Sequence, residues 1–115
     1  MKYFYRFNVR LEAPDQAKAV TNAFGKQPTR CGENSWEIEF QESDFNGQFH
    51  DYLGYIESLL KSAASNLELI GIKPNDLSIW ILYEFDEQCN LEFPPGQVKR
   101  LSDLGVSLCI SCWQG

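Results

Sequence analysis

Four cysteines and one histidine are the first side chains to weigh in this 115-residue chain for nucleophilic, redox or metal chemistry. Cys109 and Cys112 stand as C-x-x-C, the spacing of disulfide oxidoreductases and of half a zinc site. Their surroundings alternate Val106, Leu108, Ile110 and Cys112 with small polar residues, which places the pair on a strand, where residues three apart point to opposite faces. Two such thiols cannot easily chelate one ion or cross-link, and the nearest helical pattern precedes the pair, so the pair lacks the helix amino terminus of a thioredoxin-type motif. Cys31 and Cys89 stand singly in segments that read as loops, without the second close pair of a zinc ribbon. His50 is the one candidate general base, and neither G-x-S-x-G nor another nucleophile motif accompanies it, so it reads as a solvated histidine. Glu37 and Glu39 share a strand face, but Arg6 and Arg10 offer cross-strand partners, and ion pairs explain the carboxylates better than acid–base work. No G-x-G-x-x-G or Walker loop supports nucleotide binding. The expectation is a non-enzyme with no catalytic residue, no metal and no cofactor.

The elements that position these residues follow from periodicity. Residues 2–11 alternate, with Tyr3, Tyr5, Phe7, Val9 and Leu11 on one side, which predicts a half-buried strand. Pro14 suits a first helical turn; Ala17, Val20 and Phe24 recur at helical spacing until Gly25. Residues 26–35 carry Pro28, Gly32 and Asn34 and read as a loop, after which Trp36, Ile38 and Phe40 point inward on a second strand. Asp44 or Asn46 can cap a long helix whose apolar stripe runs from Phe49 through Tyr52, Leu53, Ile56, Leu59 and Ala63 to Leu67. Leu77, Ile79, Ile81, Tyr83 and Phe85 predict a third strand, residues 86–90 a hairpin tip, and residues 91–93 an antiparallel return before Pro94-Pro95. A short helix with Val98, Leu101 and Leu104 ends at Gly105 and leads into the strand that holds the C-x-x-C pair. The fold expected is a single α+β domain spanning 1–115, one largely antiparallel sheet with three helices packed mainly on one face, in the order β-α-β-α-β-β-α-β.

Composition agrees with one small domain that needs no disulfide to fold: 43% of residues are apolar, and eight Phe, five Tyr and three Trp supply large rings for a core. Ten Lys and Arg against sixteen Asp and Glu give a net charge of −6, a sign that opposes nucleic acid phosphates and anionic membrane and favours cationic partners. The first residues carry charges where a signal peptide needs an apolar run, and no membrane-length apolar stretch follows, so the chain is expected in the cytoplasm.

The third strand is the exception to one-sided burial, because its outward positions include Trp80 and Leu82. With Phe4, Cys109 and Trp113 these would project from the side of the sheet away from the helices, rimmed by Arg6, Arg10, Glu37, Glu39 and Glu84: an apolar patch with aromatic anchors. Partner binding is one reading. Cover by the loop at residues 26–35, or by a second copy, is the other. Asp86, Glu87 and Glu92 flank the expected hairpin tip, and Glu33, Glu42, Asp44 and Asp51 surround the loops and the start of the long helix, either as solubilising charge or as an acidic site. The partner-binding set expected is Phe4, Trp80, Leu82, Glu84, Asp86, Glu87 and Trp113.

The run Phe24-Gly25-Lys26-Gln27-Pro28-Thr29-Arg30, followed by Gly32-Glu33 and Ser35-Trp36, resembles the G-x-x-P-T-x, G-x, W signature of a bacterial domain-of-unknown-function family, number 4279. Residues 91–110, with Val98-Lys99-Arg100-Leu101 and Leu104-Gly105-Val106-Ser107-Leu108, are similar to that family's closing helix and strand. The resemblance implies structural roles and transfers no catalytic residue. By class, small acidic α+β chains of this kind also resemble the immunity proteins of bacterial toxin systems, which implies neutralisation of a cognate toxin, such as a basic nuclease, by direct contact. The alternative is a structural or regulatory domain that uses the same apolar face to form a homodimer; an enzyme working through Glu or Asp and Tyr is a third reading.

Overall fold

A computed structural model describes residues 2–41 and 51–115. The expected caps Asp44 and Asn46, the first stripe residue Phe49, the acidic Glu42 and the candidate base His50 lie outside the described residues, as does the side chain of Asp51.

Strand β1 (Lys2–Arg10) turns the alternation of its sequence into geometry: Tyr5, Phe7 and Val9 are fully buried while Phe4, Arg6 and Asn8 are only half-buried on the other face. Helix α1 (Gln16–Phe24) buries Val20 and Phe24 and ends at Gly25, whose φ of 66° lets its N–H donate to the Thr21 carbonyl. Strands β2 (Arg30–Cys31) and β3 (Ser35–Gln41) follow, then helix α2 (Asp51–Leu69), a 3-10 turn (Pro74–Asp76), strand β4 (Leu77–Phe85), helix α3 (Pro95–Leu104) and strand β5 (Ser107–Gln114). Among the described residues no helix is long and apolar enough to cross a membrane.

The fold is α+β, with one five-stranded sheet in the order β2-β3-β1-β4-β5. All neighbours are antiparallel except β4 and β5, which are parallel. All three helices contribute to one core on one side of the sheet: Phe24 of α1, Leu53 and Ile56 of α2 and Leu101 of α3 cluster with the inward residues of β1, β3 and β4. Rings order this core. Tyr5 stacks on Tyr52 at 4.8 Å and on Phe40 at 5.4 Å, and Phe24 stacks on Trp36 at 5.2 Å. Trp36, fully buried, donates its Nε1–H to Thr21 Oγ1 at 3.0 Å, so its one polar atom is satisfied.

Two elements differ from the sequence reading, and the order becomes β-α-β-β-α-β-α-β. Residues 91–93 form no strand. Both edges of β4 are occupied, by β1 and by β5, so an antiparallel return has no ladder to join; the chain instead crosses over through α3 and delivers β5 parallel. The segment at residues 86–90 is accordingly the start of a crossover and not a hairpin tip. The additional strand is β2, inside the expected loop, where Gly32 N–H donates to the Ser35 carbonyl and Arg30 and Cys31 pair with Glu37 and Trp36. A two-residue strand leaves no alternation to detect. It extends the sheet at the edge opposite β5 and does not cover the aromatic face.

Arg10 also departs from expectation. At the end of β1 it reaches past the sheet to Asp76, donating from Nη2 at 2.9 Å and from Nε at 3.3 Å, instead of pairing with a glutamate of β3. Asp76 Oδ2 meanwhile accepts from the Lys73 backbone N–H at 3.0 Å, closing the 3-10 turn ahead of β4. That backbone bond, with the Arg10 pair second, holds the Asp76 carboxyl below its ordinary pKa of 3.8. Asp76→Ala is expected to cost about 1 kcal/mol in urea unfolding at neutral pH, the usual worth of a capping side chain. Because the folded pKa lies below the unfolded one, the contribution is complete above 3.8 and is lost as pH falls through the lowered folded value, so the difference between variant and parent closes in that acid window.

Candidate functional site

The helix-free face of the sheet, so called because no helix among the described residues covers it, is built from the even-numbered positions of β1 and β4 and the odd-numbered positions of β5, which ladder pairing brings side by side. Phe4 lies opposite Leu82, and Leu82 opposite Ser111. Trp80 lies between Arg6 and Cys109, and Trp113 opposite Glu84. The Trp113 ring stacks on Phe4 with centroids 6.5 Å apart and planes 16° from parallel, bridging across the β4 strand that separates them in the sheet order. Trp80 donates its Nε1–H to Ser78 Oγ at 3.1 Å, which lays the indole along its own strand. Cys109 is level with Trp80, so Trp113 stands four residues further along, about 13 Å at strand rise. The five apolar side chains therefore make an elongated strip and not a round cluster. None belongs to the helix-covered core; Trp113 is 40% exposed, and Phe4, Trp80, Leu82 and Cys109 are half-buried by one another and by their ladder neighbours.

Charge divides this face into two unlike ends. On the β3 side, Arg6 stands 3.4 Å from Glu37 through Nε and 3.5 Å from Glu39 through Nη2, Asn8 donates to Glu37 at 2.9 Å, and Arg30 approaches Glu39 at 3.4 Å. The expected pairing of Arg6 with the two glutamates is present, and both carboxylates are already engaged within the chain. At the other end Glu84 flanks Trp113, and Asp86 and Glu87 follow β4 as exposed residues. This end is tied to β5: Gln114 donates its side-chain amide to the Asp86 carbonyl at 3.0 Å, and Gly115 N–H donates to the Phe85 carbonyl at 2.9 Å. The structure thus brings Phe4, Leu82, Glu84 and Trp113 to one end of the strip, with Asp86 and Glu87 next in the chain after β4 and Trp80 further along the strip.

Other constellations sort themselves by position. Cys109 and Cys112 face opposite sides of β5, Cys109 beside Trp80 and Cys112 in register with Tyr83. Cys89 does not stand alone, as its loop position suggested; its thiol lies 3.1 Å from Cys112 Sγ. Among the described residues no group of three His, Cys, Asp or Glu could hold a metal ion. Tyr52 has its hydroxyl pushed up to about 12 by burial, against the opposing pull of Arg100, in keeping with a core ring stacked on Tyr5. One feature has no counterpart in the sequence reading, an open groove of about 590 Å³ between α2, α3 and the start of β4, walled by Leu60, Ala64, Leu67 and Leu104. Helical periodicity places Leu67 and Leu104 on the apolar stripes of their helices, but it does not reveal that α3, only ten residues long, leaves part of the α2 surface uncovered.

The residues of the family-like run are structural. Gly25 caps α1, Thr29 Oγ1 accepts the Glu39 backbone N–H at 2.9 Å, Gly32 makes the β2–β3 turn and Trp36 fills the core.

The three tryptophans differ in environment, which gives a direct test of whether the strip is open in solution. A chain retaining only Trp113 is expected to emit at long wavelength and to be quenched by acrylamide, whereas one retaining only Trp36 is expected to be blue-shifted and resistant. A resistant Trp113 would mean that the strip is covered. No family model matches this chain, and no curated protein and no solved structure matches it.

Proposed function

We propose that this chain is a non-enzymatic cytoplasmic binding protein that docks a basic protein on the helix-free face of its sheet, and that it acts as an immunity protein against a bacterial toxin. The observation that carries the reading is the Phe4–Trp113 stack on a face that no described helix covers, beside Glu84, with the exposed Asp86 and Glu87 following in the chain. The net charge of −6 speeds the approach of a cationic partner, and the two rings then supply the apolar area that slows its departure. Arg6 and Arg30 offset the charge of Glu37 and Glu39 locally. The likeness of residues 24–36 to family number 4279 fits this reading, because the motif carries no reacting group.

Co-expression with the toxin encoded by the neighbouring gene is expected to protect the cell and to yield a complex stable to gel filtration. Phe4→Ala or Trp113→Ala should weaken that complex by about tenfold or more, with the change in the dissociation rate. Reversal of Asp86 and Glu87 to Lys should mainly slow association and flatten its salt dependence. Neither protection nor a complex would overturn the proposal.

A second reading, a homodimer, has its own observation. β5 is an edge strand of eight residues, SLCISCWQ, with no charge and no proline, and Ile110 on it is 42% exposed. Edge strands usually carry such devices to prevent pairing with another chain. If two copies join through β5, sedimentation velocity gives a dimer that Ile110→Lys converts to monomer; a parent chain that sediments as a monomer removes this reading.

A further inference from the structure

The strand that carries Trp113 also carries a thiol with a partner. Cys89, in the crossover after β4, and Cys112, on β5, are 23 residues apart in sequence, yet their sulfurs approach to 3.1 Å and both residues are exposed. Their positions are held independently of the sulfurs. Gln114 binds the Asp86 carbonyl and Gly115 binds the Phe85 carbonyl, which ties the start of the crossover to the end of β5, while the parallel ladder holds Cys112 level with Tyr83. Closing from thiol contact to a covalent S–S bond of about 2.05 Å needs only about an ångström of movement, shared between a strand and a loop.

We propose that Cys89 and Cys112 are a reversible redox modification site, forming an intramolecular disulfide that staples the crossover to the edge strand. The inference rests on the fold and not on the partner-binding reading. The oxidant is a low-molecular-weight disulfide such as oxidised glutathione. The Cys112 thiolate attacks one sulfur of that disulfide, forming a mixed disulfide and releasing one glutathione thiolate, which takes up a proton. Cys89 then loses its proton, attacks Cys112 Sγ and expels the second glutathione. Two protein thiols are oxidised, one small disulfide is reduced to two thiols, and protons and electrons balance. The contact with Cys112 pushes the Cys89 pKa up, so the exchange is written with Cys112 attacking first and Cys89 resolving; the same disulfide and the same balance result with the two roles exchanged. Cys109, three residues away, is excluded because it faces the opposite side of the sheet, and Cys31 lies at the opposite edge.

A staple here closes a loop that contains the whole of α3 and most of β5, the segment added through a parallel crossover. Loop closure of this length limits the unfolded chain and is expected to raise the melting temperature by roughly 10 °C.

Treatment of the folded chain with oxidised glutathione, followed by acid quenching and intact mass measurement, is expected to give a monomer two hydrogens lighter. Peptide mapping should join Cys89 to Cys112, and dithiothreitol should restore the starting mass and melting temperature. Cys31→Ser/Cys109→Ser is expected to behave like the parent. Cys89→Ser and Cys112→Ser, both at exposed positions, should fold but accumulate the mixed disulfide at the remaining thiol and show no oxidation-dependent gain in melting temperature. Stable glutathione adducts on both thiols of the parent, a disulfide that involves Cys31 or Cys109, or a disulfide-linked dimer would each overturn the assignment.

Discussion

One-sided cover of the sheet is the constraint on which the rest of the structure depends, and β1 shows it most plainly. It is the central strand, hydrogen-bonded on both edges, and its two faces meet different surroundings. Tyr5, Phe7 and Val9 are sealed under the helices, each burial worth on the order of 1.5–3 kcal/mol against exposure. A register slip of one residue would place Arg6 and Asn8 in that core, so the alternation sets not only the strand but the direction of every side chain on it. The face left over must be stable against water without a second layer. It manages this with ladder contacts: mainly polar ones toward β3, and toward β5 mixed ones in which Trp80 meets Cys109 and Trp113 reaches across to Phe4.

That asymmetry decides what the helix-free face can offer. Arg6, Asn8 and Arg30 occupy the carboxylates of Glu37 and Glu39, so on the β3 side these two glutamates are paired within the chain. Half-exposed pairs of this kind contribute little stability each, but they reduce the local field available to a partner. Apolar area and acidic charge coincide only toward β5. The negative balance seen in composition is thus unevenly presented, and the aromatic pair Phe4–Trp113 lies at the end that carries Glu84, with Lys2 opposite it in the ladder.

Parallel attachment of β5 has a wider reach than its eight residues suggest. Had the chain after β4 returned as a hairpin, residues 91–93 would occupy the place beside β4, and neither Trp113 nor Cys112 would come near the segment that follows Phe85. The crossover through α3 instead brings the carboxyl end of β5 to the same end of the sheet as the carboxyl end of β4, since parallel neighbours end together. Trp113 meets Phe4, Gln114 meets Asp86, and Cys112 meets Cys89 as consequences of one topological choice. The short α3 that makes this crossover also leaves the groove over Leu60, Ala64 and Leu104.

Local pattern sufficed for what depends on neighbouring residues. The alternation of residues 2–11, the stripe from Tyr52 to Leu67, the stops at Gly25 and Gly105 and the burial of Trp36 are properties of period and backbone conformation, and the sequence alone determined them together with the α+β class and the outward direction of Phe4, Trp80, Leu82 and Trp113. Facing the same way is not the same as touching, and contact depends on which strands are neighbours and how they are aligned. Register placed Trp113 over Phe4 and left Trp80 along the strip; it gave Arg10 to Asp76 and Arg6 to the glutamates. Whether residues 91–93 pair was settled by competition for the edge of β4, which residues 107–114 won from a distance that no local window spans. The same long-range pairing brought within 3.1 Å two thiols that stand 23 residues apart in the sequence. Side-chain direction is a short-range property of the chain, whereas adjacency between strands is decided by the free energy of the whole sheet, and only the tertiary structure contains it.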